Sequence, residues 1–183
     1  MKIIKSTIID ILLVALAWIL FYRFSLWLFA YFEYNPHVNW VFLPAGIRML
    51  AVFIFGWAGV LGLFIGSVIT NDEELSGYVI YLSMISAISP MVAKRACNWW
   101  FNIPVTLQGL RGKQLLAFAV IGALTNALFS NLFFYFANET NSLKGIIPMF
   151  VGDLLGTLFI FYLVVKILQL IFLIHKKIIS PIL

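Results

Sequence analysis

Apolar residues along this chain come in runs too long for an ordinary soluble helix, separated by short polar stretches. From Ile8 the sequence stays apolar to Phe32, interrupted only by Asp10 and by Arg23 with a few small polar residues near it. Gln114 to Phe136 and Ile146 to Ile174 are comparable. Runs of roughly 20 residues fit the ~30 Å hydrocarbon core of a bilayer at 1.5 Å rise per residue. A fourth run, Gly77 to about Val92, is expected to break near Ser89-Pro90 and to end in Lys94-Arg95. The stretch Phe42 to Thr70 behaves differently. It is entered through Pro44-Ala45-Gly46, carries Arg48 one turn in, and is interrupted by Gly56-Trp57-Ala58-Gly59. It reads either as two short helices, 44–55 and 60–70, or as one kinked helix, 44–70. Pro44 suits a helix start, where its missing N–H has no intrahelical partner.

Charge separates these two readings. Lys and Arg gather in the cytoplasmic loops of membrane proteins. With six crossings, Lys2 and Lys5, the 94–113 stretch (Lys94, Arg95, Arg111, Lys113) and Lys176-Lys177 share one side. Asp72, Glu73, Glu74 and Glu139 take the other. A single crossing over 44–70 would put the basic 94–113 stretch opposite Lys2 and Lys5. The pattern therefore predicts an all-α, polytopic integral membrane bundle of about six transmembrane helices, two of them short. The expected location is the inner membrane, with both termini cytoplasmic. The N-terminal run has signal-peptide features, Lys2, Lys5 and Ala15-Leu16-Ala17. Asp10 and the apolar sequence continuing through Phe21 argue instead for an uncleaved first helix. Residues 8–32 would extend about 37 Å, so Arg23 is expected to reach the interface, with 25–32 at headgroup depth. Residues 33–43 and 138–145 read as loops, and 96–112 as an interfacial connection.

Composition narrows the class. With 63% hydrophobic and 10% charged residues, against about 25% charged in soluble domains, no water-facing surface can be built. Residues 1–183 form one membrane domain, whose first partner is the lipid bilayer. The net charge of +5 then reports loop topology, and no nucleic-acid partner is implied. A single cysteine, Cys97, excludes an internal disulfide and argues against a metal cluster. His37 and His175 have no nucleophile placed beside them, and phosphate-loop, dinucleotide and zinc spacings are absent. The expectation is a protein that is not an enzyme and uses no cofactor or metal.

Candidate chemistry lies in buried charge, which costs about 2.5–3.5 kcal/mol at a membrane helix centre. Asp10 sits close enough to the first helix start to reach the interface or Lys5. Arg48 and Asp153 are expected roughly 6 and 10 Å below the same interface, with Asn131 at a similar depth and Asn126 about two turns deeper. These four are the candidate ligand-binding residues, converging on an outward-facing polar cavity. The alternative is an ion pair of purely structural use. Gly62 and Gly66, and Gly152 and Gly156, are small residues four apart, a spacing that admits a second backbone. Together with Pro44 and Gly46 they are candidate packing residues, and they predict helix three against helix six.

Two of these segments also carry a family likeness. Phe42-Leu43-Pro44-Ala45-Gly46-Ile47, with Gly62 to Gly66 downstream, resembles the "PPAGIA…FLG" segment of the membrane-associated sensor domain family (MASE type, first class). Val151-Gly152-Asp153-Leu154-Leu155-Gly156 resembles that family's "GDALG" segment. The likeness covers about residues 38–168. Arg48 departs from it, standing where the family has a small or apolar residue. The resemblance implies a sensory module, here expected to stand alone without an output domain. Such a module would bind a small ligand or a membrane partner and signal to a separate membrane or cytoplasmic protein. The rival readings are a substrate-binding transport subunit of the energy-coupling-factor type and a structural scaffold.

Overall fold

The computed structural model describes residues 2–35, 38–71, 74–101, 112–137 and 142–179. His37, Asp72, Glu73, most of the 96–112 connection and the Asn138–Thr140 segment lie outside the described residues. Six helices make up the fold: α1 Lys2–Phe29, α2 Pro44–Phe55, α3 Trp57–Thr70, α4 Gly77–Phe101, α5 Gly112–Phe136 and α6 Ile146–Ile179. Four of them, α1, α4, α5 and α6, are long and apolar enough to span a membrane, and α2 and α3 are shorter apolar helices. After α1 comes a 3-10 turn, Ala30–Phe32, and then a short hairpin, β1 Glu33–Asn35 antiparallel to β2 Val38–Asn39. The hairpin marks one end of the bundle.

Side-chain register gives each helix its direction. Gly62 faces Ile11 and Val14, and Gly66 faces Trp18, so α3 runs parallel to α1, toward the hairpin end. Gly46 meets Ile160, and Gly156 meets Phe42, so the α2 region runs parallel to α6, away from that end. Residues 44–70 are therefore two oppositely directed helices. The helices alternate in direction throughout, and α1 starts at the end of the bundle where α6 finishes.

The turn between α2 and α3 is tighter than the four residues expected. It is made by Gly56 alone, at φ 57° and ψ −123°, and α3 already begins at Trp57. That backbone conformation is closed to residues bearing a Cβ. Ending α2 here leaves its last carbonyls without helical donors. Gly56 N–H donates to Val52 O at 3.1 Å. Lys94 Nζ, from α4, donates to Val52 O at 3.1 Å and Phe53 O at 3.2 Å. A cation at a helix C-terminus also meets the negative end of the helix dipole.

Two other expectations are corrected. Helix four does not break at Ser89-Pro90 but continues to Phe101. Pro90 deprives the Ser86 carbonyl of its usual N–H donor, and the Ser89 hydroxyl lies 3.3 Å from that oxygen, supplying a local substitute. Nor do the glycine pairs bring helix three against helix six. Gly62 and Gly66 admit α1, and Gly152 and Gly156 admit the non-helical backbone at Asn39 and Phe42.

One apolar cluster lies between α2, α4, α5 and α6 and includes Met49, Phe53, Cys97, Phe118 and Phe161. Cys97 is a free thiol buried in it. A second joins α1, α2 and α3 through Val14, Trp18, Val52 and Leu63. Both clusters flank α2, whose first turns carry the candidate site.

Candidate functional site

The two sequence segments with a family likeness form a single contact. Phe42 N–H donates to Gly152 O at 3.1 Å. A Cβ on Gly152 would strike Asn39 O, and one on Gly156 would strike Phe42 O, so non-helical backbone lies directly on the glycine face of α6. On α2, Gly46 takes up Ile160 in the same way. Pro44 is buried at the first turn of α2, and the Leu43 N–H before it donates to Ser25 Oγ of α1 at 3.2 Å. Ser25 is buried within the bundle.

This contact sets Arg48 against Asp153. Nη2 of Arg48 lies 2.7 Å from Oδ1 of Asp153, with both residues at least 95% buried. Nη1 of Arg48 donates to Ser86 Oγ on α4 at 3.2 Å. Asn126 Nδ2 on α5 donates to the other carboxylate oxygen of Asp153 at 2.7 Å. The Ser89 hydroxyl is also 3.2 Å from Asn126 Oδ1, so its one proton is shared between that oxygen and the Ser86 carbonyl. One polar network thus joins α2, α4, α5 and α6. Burying two charges is repaid only where the remaining donors and acceptors are also met, and Ser86 and Asn126 meet part of that requirement.

The network forms the floor of a cavity of about 220 Å³ at the hairpin end. One wall is aromatic. Trp18, Tyr22 and Phe42 pack at centroid distances of 6.1–6.3 Å. The Arg48 guanidinium carbon lies 5.8 Å from the Trp18 ring centroid and 5.6 Å from that of Phe42, within cation–π range. Trp18 is fixed by donating from Nε1 to Thr70 Oγ1 at 3.0 Å. The other walls include Ser67 and Thr70 of α3, Ser86 of α4 and Ser130 of α5.

Of the four residues expected to converge, Arg48, Asp153 and Asn126 do so. Asn131 does not line the cavity. It is fully buried behind it, donating from Nδ2 to Ala127 O at 2.8 Å and lying 3.4 Å from Met149 Sδ, with no partner for Oδ1 among the described residues. Similar depth did not make it a neighbour, because its side chain leaves α5 on a different face from Asn126. Asp10 is half-buried near the far end of α1, away from the site. Trp18, Phe42 and Ser86 were missed. Signals for them existed: a tryptophan in mid-helix instead of at an interface, an aromatic residue two before Pro44, and serines at 83, 86 and 89 along one helix. Among the described residues no group of His, Cys, Asp and Glu is arranged to hold a metal ion.

Comparison with known proteins supplies the family. No curated protein and no solved structure matches the chain. The MASE1 family model matches residues 11–179, a wider span than the 38–168 of the sequence likeness. It takes in α1, whose Trp18 walls the cavity. A match over nearly the whole of a bundle with this architecture identifies the chain as a multi-pass membrane protein that belongs to MASE1, a family of non-catalytic membrane sensor domains.

Proposed function

We propose that this domain senses a small ligand in the Arg48–Asp153 cavity and relays its presence to a separate signalling protein. The observation that carries the reading is the polar network itself. A buried ion pair at a cavity floor is tied to four helices, so a ligand that alters the pair acts on all four. Two of these helices lead away from the site. From Asp153, α6 continues unbroken to Ile179, about 39 Å at 1.5 Å per residue, and α4 continues from Ser86 to Phe101. With the basic segments facing the cytoplasm, the cavity faces outward. The signal would leave through residues 94–113 and the far end of α6.

The test is affinity purification of the full chain from its native membranes in mild detergent, beside Asp153→Asn. The expected result is a co-purifying protein with a kinase or cyclase output domain, whose activity in membranes differs between the two forms. Retention of no output-domain protein above background, or equal activity with both forms, would overturn the relay.

A further inference from the structure

The cavity floor also restricts what the ligand can be; this step rests on the ligand-binding reading above. A guanidinium has five N–H donors. Arg48 directs one at Ser86 and one at Asp153, and its other N–H groups have no hydrogen-bond partner among the described residues. A carboxylate has about four acceptor positions. Asp153 receives Arg48 on one oxygen and Asn126 on the other, so each oxygen keeps accepting capacity. Unspent donors therefore lie beside unspent acceptors, and both residues line the same cavity.

Charge selects further. Among the described residues, Arg48 and Asp153 are the formally charged ones lining the cavity, and they cancel. An anion or a cation seated on the pair would add net charge beside two groups that are themselves buried, which is unfavourable without a counter-charge. A molecule bearing both signs adds none. Size selects last. A cavity of about 150 Å³ holds benzene, with six heavy atoms, so one of about 220 Å³ holds a ligand of about nine at the same density.

We propose that the cavity binds an α-amino-acid-type zwitterion up to about the size of leucine. Its carboxylate takes the free donors of Arg48, and its ammonium takes the free acceptor positions of Asp153. Its side chain lies among Trp18, Phe42, Leu82 and Met149, the apolar part of the lining. Recognition is by paired opposite charge, and exclusion of larger side chains is by volume.

The experiment is thermal unfolding of the purified full chain in mild detergent, at 10 mM of each probe. One set is glycine, alanine, valine, leucine and tryptophan. A second is acetate, succinate and phosphate, and a third is methylamine and putrescine. Valine or leucine is expected to raise Tm, by about 5–10 °C if the probe is at 100 times its Kd, while tryptophan and the singly signed probes leave it unchanged. Ser67→Phe, which fills the cavity and leaves the ion pair in place, is expected to give a cooperative transition, whatever its own Tm without probe, and to lose the response. Stabilisation by the anions or the cations in preference to the zwitterions overturns the ligand class and leaves a ligand site standing. A response that survives in Ser67→Phe overturns the location. A flat panel in all three sets overturns both the class and the ligand-binding reading.

Discussion

The Arg48–Asp153 pair makes a prediction that can be worked from its geometry. Both side chains are at least 95% buried and meet at 2.7 Å. Asp153→Asn leaves the guanidinium charged, buried and without a counter-ion. Arg48→Gln leaves the carboxylate with Asn126 as its one hydrogen-bond partner among the described residues. Removing one member of a buried pair costs about 3–5 kcal/mol, and each kcal/mol lowers Tm by about 2–4 °C in a domain of this size. Each single variant is therefore expected to lose roughly 6–20 °C. The double variant, Arg48→Gln with Asp153→Asn, removes both charges and leaves two amides able to hydrogen-bond each other. Replacing a whole buried pair by neutral groups is often close to neutral, so the double variant should fall within about 2 kcal/mol of the parent. The coupling energy is then at least about 4 kcal/mol. The assay is thermal unfolding in detergent, read by fluorescence of the six tryptophans. If the double variant loses as much as the two single variants together, the charges do not act as a pair and the argument from the cavity floor fails with it.

Three further outcomes follow from local geometry. Gly56→Ala has space for its methyl group but not for its backbone at φ 57°, so it should lose about 1–3 kcal/mol, read as a lower Tm. Lys94→Met keeps the apolar stem and removes the two bonds to Val52 O and Phe53 O. It should lose about 1–2 kcal/mol and speed amide hydrogen exchange over residues 53–57, while exchange in α5 stays unchanged. Gly156→Val would drive its side chain into the Phe42 carbonyl, a backbone atom with no rotamer to escape to. It should lose at least about 3 kcal/mol, and it should weaken any ligand response more than Gly62→Ala does.

Legibility in the sequence followed the range of the physics involved. The long helices were readable because a bilayer demands a minimum apolar length, and that demand is local. The split of 44–70 was readable because loop charge counts crossings. Arg48 and Asp153 were readable because two opposite charges at one depth have few other uses. The end of helix four was not readable, since a membrane helix tolerates a proline where the freed carbonyl finds another donor, and Ser89 lies within reach of the Ser86 carbonyl. The glycine pairs announced that some backbone comes close without saying which. At α6 the visitor is non-helical chain at 39–42, which no helix–helix rule anticipates. Trp18 and Phe42 were hidden by composition, because in a chain with this many aromatic residues a lipid-facing role is the default for any one of them.

The interruption at Gly56 and the cavity have a common origin. An uninterrupted helix from Pro44 to Thr70 would extend about 40 Å, cross once, and leave no reason for chain to return to the hairpin end. The break makes two helices of 12 and 14 residues, about 18 and 21 Å long, packed among neighbours of 25 to 34 residues. A pair that short does not fill the space its neighbours enclose. At the hairpin end α3 stops at Thr70 and α2 starts at Pro44, and the room left over is lined by Thr70, Asn71, Phe42 and Asn39. At the other end the early stop of α2 exposes its last carbonyls, of which Lys94 meets Phe53 O and shares Val52 O with the Gly56 N–H. The glycine thus permits the early end of α2, the inserted lysine compensates for it, and the same shortness opens the cavity above the Arg48–Asp153 pair.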